Sequence, residues 1–495
     1  MRLLGGLVVC ALALSGFSAP AHDPQAIGRW DWPTYGHDAQ HTFYGRTTLT
    51  QSNVTSLAPA WFFPTGLAVT ATPTVVAGTV YVGSWDGEFY ALDLETGALE
   101  WKFQLDAQPA VSPAPGGPPD PGSDGGMVTS SAWFEPGNAT RPDLVLFGGG
   151  FTLYALDAHT GALYWKHQYS GRPELAVDPA HDGTRIFSSP VVADGKVMVG
   201  VAVDGDRDHR GYIVAADLAT GAPVWIRETD VDATGAIRND GCGTVWSSGT
   251  LLPRAGLVVF DVADCHFSNA GPYDETVVAL RVRDGAVAWT FRPNRIDPHC
   301  DFDFGATVNA GTNSGGVAKF VGVGGKDGTY YSLDPRDGHL RWSTNVVFGG
   351  PSGGFIGTTA YDGERVYGTT ALGDYGVGDL CDPSDPRDIG IQEPTVHAFD
   401  ATSGAVDYED SGGASFGPTT VAGTMTLNCP ALNAVVDVRD AATGELVATP
   451  SLPAPCWSGI ATVGDALVLG TGASFSSRGT GVMVLTPGGV TPAVP

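Results

Sequence analysis

Apolar and polar residues alternate in short runs along the chain, a period that predicts β-strands and leaves little room for helices. Clear examples are TPTVVAGTVYVGS at 72–84 and SPVVADGKVMVGV at 189–201, each a pair of apolar strands about a glycine-containing turn. A segment of fixed form recurs after such pairs. It has an apolar strand ending in Asp or a variant, a few residues, Gly, and an aromatic four residues beyond. ALDLETGALEW (Gly97, Trp101), ALDAHTGALYW (Gly161, Trp165), AADLATGAPVW (Gly221, Trp225), ALRVRDGAVAW (Gly285, Trp289) and SLDPRDGHLRW (Gly338, Trp342) carry Gly and Trp intact. AFDATSGAVDY (Gly404, Tyr408) and VRDAATGELVA (Gly444, Ala448) have drifted.

The chemistry of one copy predicts its shape. The Asp side chain closes an Asx-type turn, the Gly takes positive φ, and the next short strand carries the Trp inward. With the upstream pair this makes four strands, one blade of a β-propeller. One unit is split between two distant places. GIATVGDALVLGTG at 459–472 and the strand near GVMVLTP lack a Trp strand, and Leu57–Phe63 is a Trp strand without a unit. Joining them removes the free edge and closes the ring. The predicted fold is therefore all-β, an eight-bladed propeller over 57–490. Segment 22–56 precedes it, a tail of 491–495 follows it, and long insertions mark the places for function.

Composition narrows the function. With 26 Lys+Arg against 53 Asp+Glu among 495 residues the formal charge is −27, which argues against nucleic acid or anionic membrane as partners. Residues 1–21 have one Arg, an apolar run from Leu3 to about Leu14 and a small-x-small end, and are expected to be a cleaved signal peptide. No later run is apolar for the ~20 residues of a membrane helix. Beyond Cys10, the six cysteines 242, 265, 300, 381, 429 and 456 suggest disulfides with 15 open connectivities. No CxxCH motif for covalent haem and no CxxC pair is present.

Chemistry is sought at positions the repeat does not need. Asp301 and Asp303 flank Phe302, and in a strand-like stretch their carboxylates point to one face and interact. That suits a general base or a metal ligand. Trp246 is off the docking register and offers a flat aromatic surface. Lys326 precedes the Asp327-Gly328 turn. His37, His41, His299 and His397 lack metal-ligand spacing and are expected to be structural or exposed.

The repeat resembles the tryptophan-docking repeat of the PQQ (pyrroloquinoline quinone) propeller superfamily. DWPTYGHDAQHT at 31–42 is similar to the opening of its polyvinyl-alcohol-dehydrogenase branch, and HRGYIVAADLATGAPVW at 209–225 to its Arg-Gly-Tyr blade. GCGTVWSSGTLLP at 241–253 is similar to the stretch with the cofactor-stacking Trp. PHCDFDFGAT at 298–307 with GKDGTYYSLD at 325–334 resembles the catalytic-Asp motif and the quinone-contacting Lys. The resemblance implies PQQ over Trp246, held by Lys326 and Arg210, and Asp301 as preferred base with Asp303 close behind. It also implies Ca²⁺ on Asp206, Asp264 and Asp301. Asp206 and Asp264 stand where the family has Glu and Asn. The vicinal Cys-Cys pair and the fused cytochrome of some members are missing. The implied activity is an exported quinoprotein dehydrogenase taking hydride from a small or polymeric alcohol, with electrons passing to a separate carrier such as a cytochrome c. The alternative is a cofactor-free propeller acting as a binding or assembly scaffold.

Overall fold

The structure, a computed structural model, describes residues 25–106, 127–175, 184–203, 208–263, 265, 271–293, 300–373, 384 and 386–495. The expected signal peptide lies outside the described residues. Seven antiparallel blades of four consecutive strands succeed one another along the chain, an eighth joins its two ends, and the two-residue strand Tyr44–Gly45 adds in parallel to the seventh. Blades 1 to 7 span residues 74–104, 133–168, 191–228, 250–291, 309–345, 360–410 and 420–448. Blade 8 takes its inner three strands from 460–487 and its outer strand from Leu57–Pro64. Trp61 pairs with Val484 across that seam, so the ring closes as the split unit predicts.

The repeat residues hold neighbouring blades together. Where the turn keeps its Asp, that side chain accepts from the backbone, as Asp93 does from the Thr96 N–H at 2.7 Å. The Trp side chains do not point inward as expected; they reach sideways from the outer strand onto the next blade, where a glycine and a backbone carbonyl receive them. The Trp61 indole donates to Leu94 O at 2.8 Å. Trp101, Trp165, Trp225, Trp289 and Trp342 do the same to Ala158, Leu218, Val282, Pro335 and Ala401 at 2.9–3.1 Å. Each indole lies on the repeat glycine of the next blade, where an added Cβ would come within 2.4–2.6 Å of the ring. The glycine is needed twice, for this contact and for its φ of 66–74°.

The segment before the propeller fills one end of the channel. Its backbone carbonyls accept from the inner strands of successive blades: Trp32 from Val75, Pro33 from Phe134, Ala39 from Leu251, Gln40 from Ala310, Thr42 from Tyr361 and Phe43 from Val421. The N–H groups of Trp32 and Thr48 donate the other way, to Val75 O in blade 1 and to Gly464 O in blade 8. These contacts reach every blade except the third, and Ala39 packs against the core between blades 3 and 4. The plug makes the channel blind.

Candidate functional site

Just above the plug, the residues leading into the inner strands carry hydroxyls in step. The backbone N–H of Thr72 donates to the Ser131 hydroxyl, Ser131 to Ser189, Ser189 to Ser248, Ser248 to Thr307 and Thr307 to Thr358, at 2.9–3.2 Å. This belt runs from blade 1 to blade 6 and stops at Pro418 of blade 7. Tyr35 of the plug touches it from below, its hydroxyl 2.9 Å from that of Thr358.

A cavity of about 400 Å³ opens over the belt. Two residues before each belt position stand Thr70, Thr129, Phe187, Trp246, Gly305, Ile356 and, in blade 7, Phe416; all seven line it, together with Trp457. Trp246 is thus a channel residue and not a docking one. A disulfide between Cys242 and Cys265 pins its segment to the loop after the second strand of blade 4, and Cys429–Cys456 does the same between blades 7 and 8. Cys381 lies outside the described residues.

Lys326 reaches the same wall. Its ammonium sits 5.5 Å from the centre of the Trp246 ring, 2.8 Å from an Asp301 oxygen and 2.8 Å from an Asp303 oxygen. Asp303 and Lys326 are buried, and the Asp301 side chain retains 21% exposure, so Asp301 is the more accessible of the two carboxylates. Burial alone would push the Lys326 ammonium down. The Asp303 and Asp301 carboxylates outweigh it and hold it above the ordinary lysine value. The two aspartates converge as expected, but through a turn and not a strand: Asp301 has φ +52°. Gly305 keeps its own register position open, where an added Cβ would come within 3.0–3.1 Å of Ile356 and the Phe355 carbonyl.

Arg210 is not part of this set. Its guanidinium is taken up by Glu228, Glu174 and Asn239, with the Glu228 and Glu174 contacts at 2.6–3.1 Å, and it is buried as a clamp between loops. Asp206 and Asp264 lie outside the described residues. Among the described residues no group of three His, Cys, Asp or Glu forms a metal cluster. His41 and His397 are buried and bonded to Thr250 and Glu409, as structural histidines should be.

Sequence reasoning missed Asp261. In the second strands of blades 2 and 3 the residue facing the next blade is glycine. A Cβ on Gly148 would meet Ile186 at 2.4 Å, and one on Gly200 would meet Val245 at 2.4 Å. Asp261 holds this register in blade 4, opposite Val277, and it is buried. Burial holds its carboxyl well above the carboxylate range; the Ser247 hydroxyl only partly offsets this, and Asp303 adds to it. Comparing blade second strands position by position would have exposed it.

The sequence matches the family described as "Glucose/ethanol/alcohol dehydrogenase, beta-propeller domain" over residues 32–345, and the one described as "Outer membrane protein assembly factor BamB" over 273–455. It is 25% identical over 438 residues to a polyvinylalcohol dehydrogenase of Sphingopyxis sp. (strain 113P3), covering 79% of this chain and 60% of that one. It is 26% identical over 461 residues to the dehydrogenase subunit of a quinone alcohol dehydrogenase of Komagataeibacter europaeus, covering 82% and 59%. The chain thus spans about three fifths of the length of these relatives. The fold matches that of quinohemoprotein alcohol dehydrogenase from Comamonas testosteroni with a TM-score of 0.69 at 18% identity, covering 94% of this chain and 82% of that one. Among the described residues no helix is long and apolar enough to cross a membrane. With most of the chain inside the first match and its repeats built into eight docked blades, the protein belongs to the PQQ family of glucose/ethanol/alcohol dehydrogenase β-propellers.

Proposed function

We propose that this propeller is an exported PQQ-dependent dehydrogenase that oxidises an alcohol at the cavity above the hydroxyl belt. One observation carries the reading: a buried ammonium, Lys326, is held by two carboxylates beside the face of Trp246 at an open cavity. The residues fit the cofactor by their chemistry. Trp246 offers a flat face for a planar ring, and Lys326 offers N–H donors and positive charge to a quinone oxygen.

When bound, PQQ supplies the acceptor for the hydride leaving the carbinol carbon. The chain's own residues do the rest. Asp301 accepts the hydroxyl proton of the alcohol, being the more exposed of the two carboxylates. Asp303 stays under it and keeps Lys326 charged. The plug and belt close the channel below, so substrate and cofactor meet from one side only. Ca²⁺ belongs to this reading through Asp206, Asp264 and Asp301, all oxygen donors. Electrons leave to a separate carrier such as a cytochrome c. A scaffold would have no use for a charge cluster buried against an aromatic wall.

The test is direct. Protein mixed with PQQ and Ca²⁺ should show a perturbed cofactor absorbance and then reduce a dye with alcohols. Absence of both at every Ca²⁺ level would leave the scaffold reading in its place.

A further inference from the structure

The plug has two faces, and each lines a cavity. Tyr35 faces the cavity above the hydroxyl belt. Asp38, Gln40 and Thr42 line a second cavity of about 550 Å³ that opens at the other end of the ring. Its remaining wall comes from the ends of the first strands of blades 5 and 6 that lie away from the belt, at Thr312 and Tyr361, and from the Gly423 turn of blade 7. The size falls within the ~300–1,000 Å³ of small-molecule sites.

Charges of both signs border this opening. Asp38 accepts from the N–H groups of Gln40 and Thr42 and from the Thr42 hydroxyl at 2.6–3.1 Å. Asp362 accepts from the N–H groups of Glu364 and Arg365 and from the Tyr367 hydroxyl at 2.7–2.9 Å. An ionised carboxylate has about four acceptor sites, so each can take a further donor. Arg46 is exposed at the edge and forms no ion pair among the described residues. Mixed charge favours neither an anion nor a cation. It suits a neutral ligand whose groups both donate and accept.

The same wall is aromatic. Tyr44 is 42% exposed. Tyr361 is held nearly parallel to Phe320 at 5.0 Å, with its hydroxyl on Gly363 O at 2.9 Å. Trp30 lies beneath the Arg29 guanidinium at 5.2 Å and belongs to no blade contact. Its indole N–H makes no hydrogen bond in the protein, and neither does His37 Nδ1 beside it in the wall, although covered groups of this kind ordinarily find a partner. Flat rings beside donors and acceptors match a molecule with apolar C–H faces and a rim of hydroxyls, which describes a pyranose.

We propose that this second cavity binds a neutral hexopyranose, free or as one unit of a longer glycan, with its ring against Tyr44 and Trp30 and its hydroxyls shared among Asp38, Asp362 and Arg46. The inference does not rest on the dehydrogenase reading. The plug separates this cavity from Lys326, and no oxidation is assigned to it.

The experiment titrates cofactor-free protein with D-glucose, D-galactose, D-mannose and maltohexaose, followed by calorimetry and tryptophan fluorescence, with D-glucuronate and D-glucosamine as charged comparisons. At least one neutral sugar should bind saturably, and more tightly than either charged one. Tyr44→Ala should weaken it about fivefold, and Arg46→Ala about tenfold. Both residues are exposed, so urea midpoints should stay at the wild-type value, and Tyr44→Trp should restore the stacking loss. Trp246→Ala, at the other cavity, should leave sugar affinity in place. Tighter binding of maltohexaose than of D-glucose assigns the site to a glycan, and equal or weaker binding assigns it to a free sugar. The site is overturned by absence of saturable binding with every neutral sugar, or by tighter binding of a charged one. It is equally overturned by an affinity that falls in Trp246→Ala and ignores both Tyr44→Ala and Arg46→Ala.

Discussion

The rim of the ring and the wall of its channel are built from the same repeats under opposite rules. At the rim, Trp sits on Gly and donates to a backbone carbonyl in six successive contacts, because every blade must meet its neighbour in the same way. At the wall, one register position is occupied by Thr, Thr, Phe, Trp, Gly, Ile and Phe in turn. Below it, the hydroxyl belt is uniform again wherever it joins blades. Uniformity therefore marks residues that serve the neighbouring blade, and variation marks residues that serve the space in the middle. Trp225 and Trp246, close in sequence and identical in type, fall on opposite sides of that division.

Residues that serve the middle of the ring should show it first in their chemistry. Asp301→Asn should lower alcohol-dependent dye reduction about 10²–10⁴-fold, with an unfolding midpoint close to wild type. A milder loss in Asp303→Asn would assign the base to Asp301, and a worse one would exchange their roles. Next comes the pair of tryptophans. Trp225→Ala removes a buried docking side chain and should cost about 3–5 kcal/mol in urea unfolding; Trp246→Ala, facing an open cavity, should cost far less and abolish PQQ binding. Equal losses of stability would erase the distinction.

A smaller effect belongs to the plug. Burial brings the His41 imidazole down to about 4, and the neighbouring Asp38 only partly opposes this. Unfolded, it takes a proton near its ordinary value of about 6.5. Between those values the unfolded state holds the extra proton, so stability is full above pH 6.5 and falls by about 3 kcal/mol as pH drops to 4. His41→Asn, which tolerates the residue's φ of +52°, should flatten that limb of the stability–pH curve. The smallest effect is a repair at the rim. Tyr408 lies on Gly444 where other blades use Trp, and Tyr408→Trp should raise the unfolding free energy by about 1 kcal/mol or less through the restored indole bond.

Much of this was legible before any coordinates. Docking demands the same two residues at the same offset, so the blade count followed from Gly and Trp spacings, including the seam between Trp61 and the 481–487 strand. Trp246, Asp301, Asp303 and Lys326 were legible because they break the repeat, and the structure brings them to one wall. Arg210 was not, since a charge beside a Gly-Tyr strand serves a ligand or a loop clamp equally well, and only the positions of Glu228 and Glu174 decide. Asp261 and Trp457 escaped for a different reason. The positions they occupy are defined by alignment of blade with blade, and no local pattern singles them out. The plug escaped too, because its bonds use backbone carbonyls, which carry no side-chain signature.

The seam has a kinetic and topological meaning. Trp61 must find Val484 across more than four hundred residues, yet the entropy of closing so long a loop grows only with the logarithm of its length, to about 5 kcal/mol beyond a constant. The eight-residue strand Leu57–Pro64 and its docked indole together make that closure stick. Until they do, blade 1 lacks the ring that covers Gly97, blade 8 lacks its outer strand, and the plug is not yet anchored to blade 8. Such a contact order makes the final step slow and the finished ring cooperative. The clasp works as a crosslink made of a β-strand, able to reopen without any change in covalent chemistry.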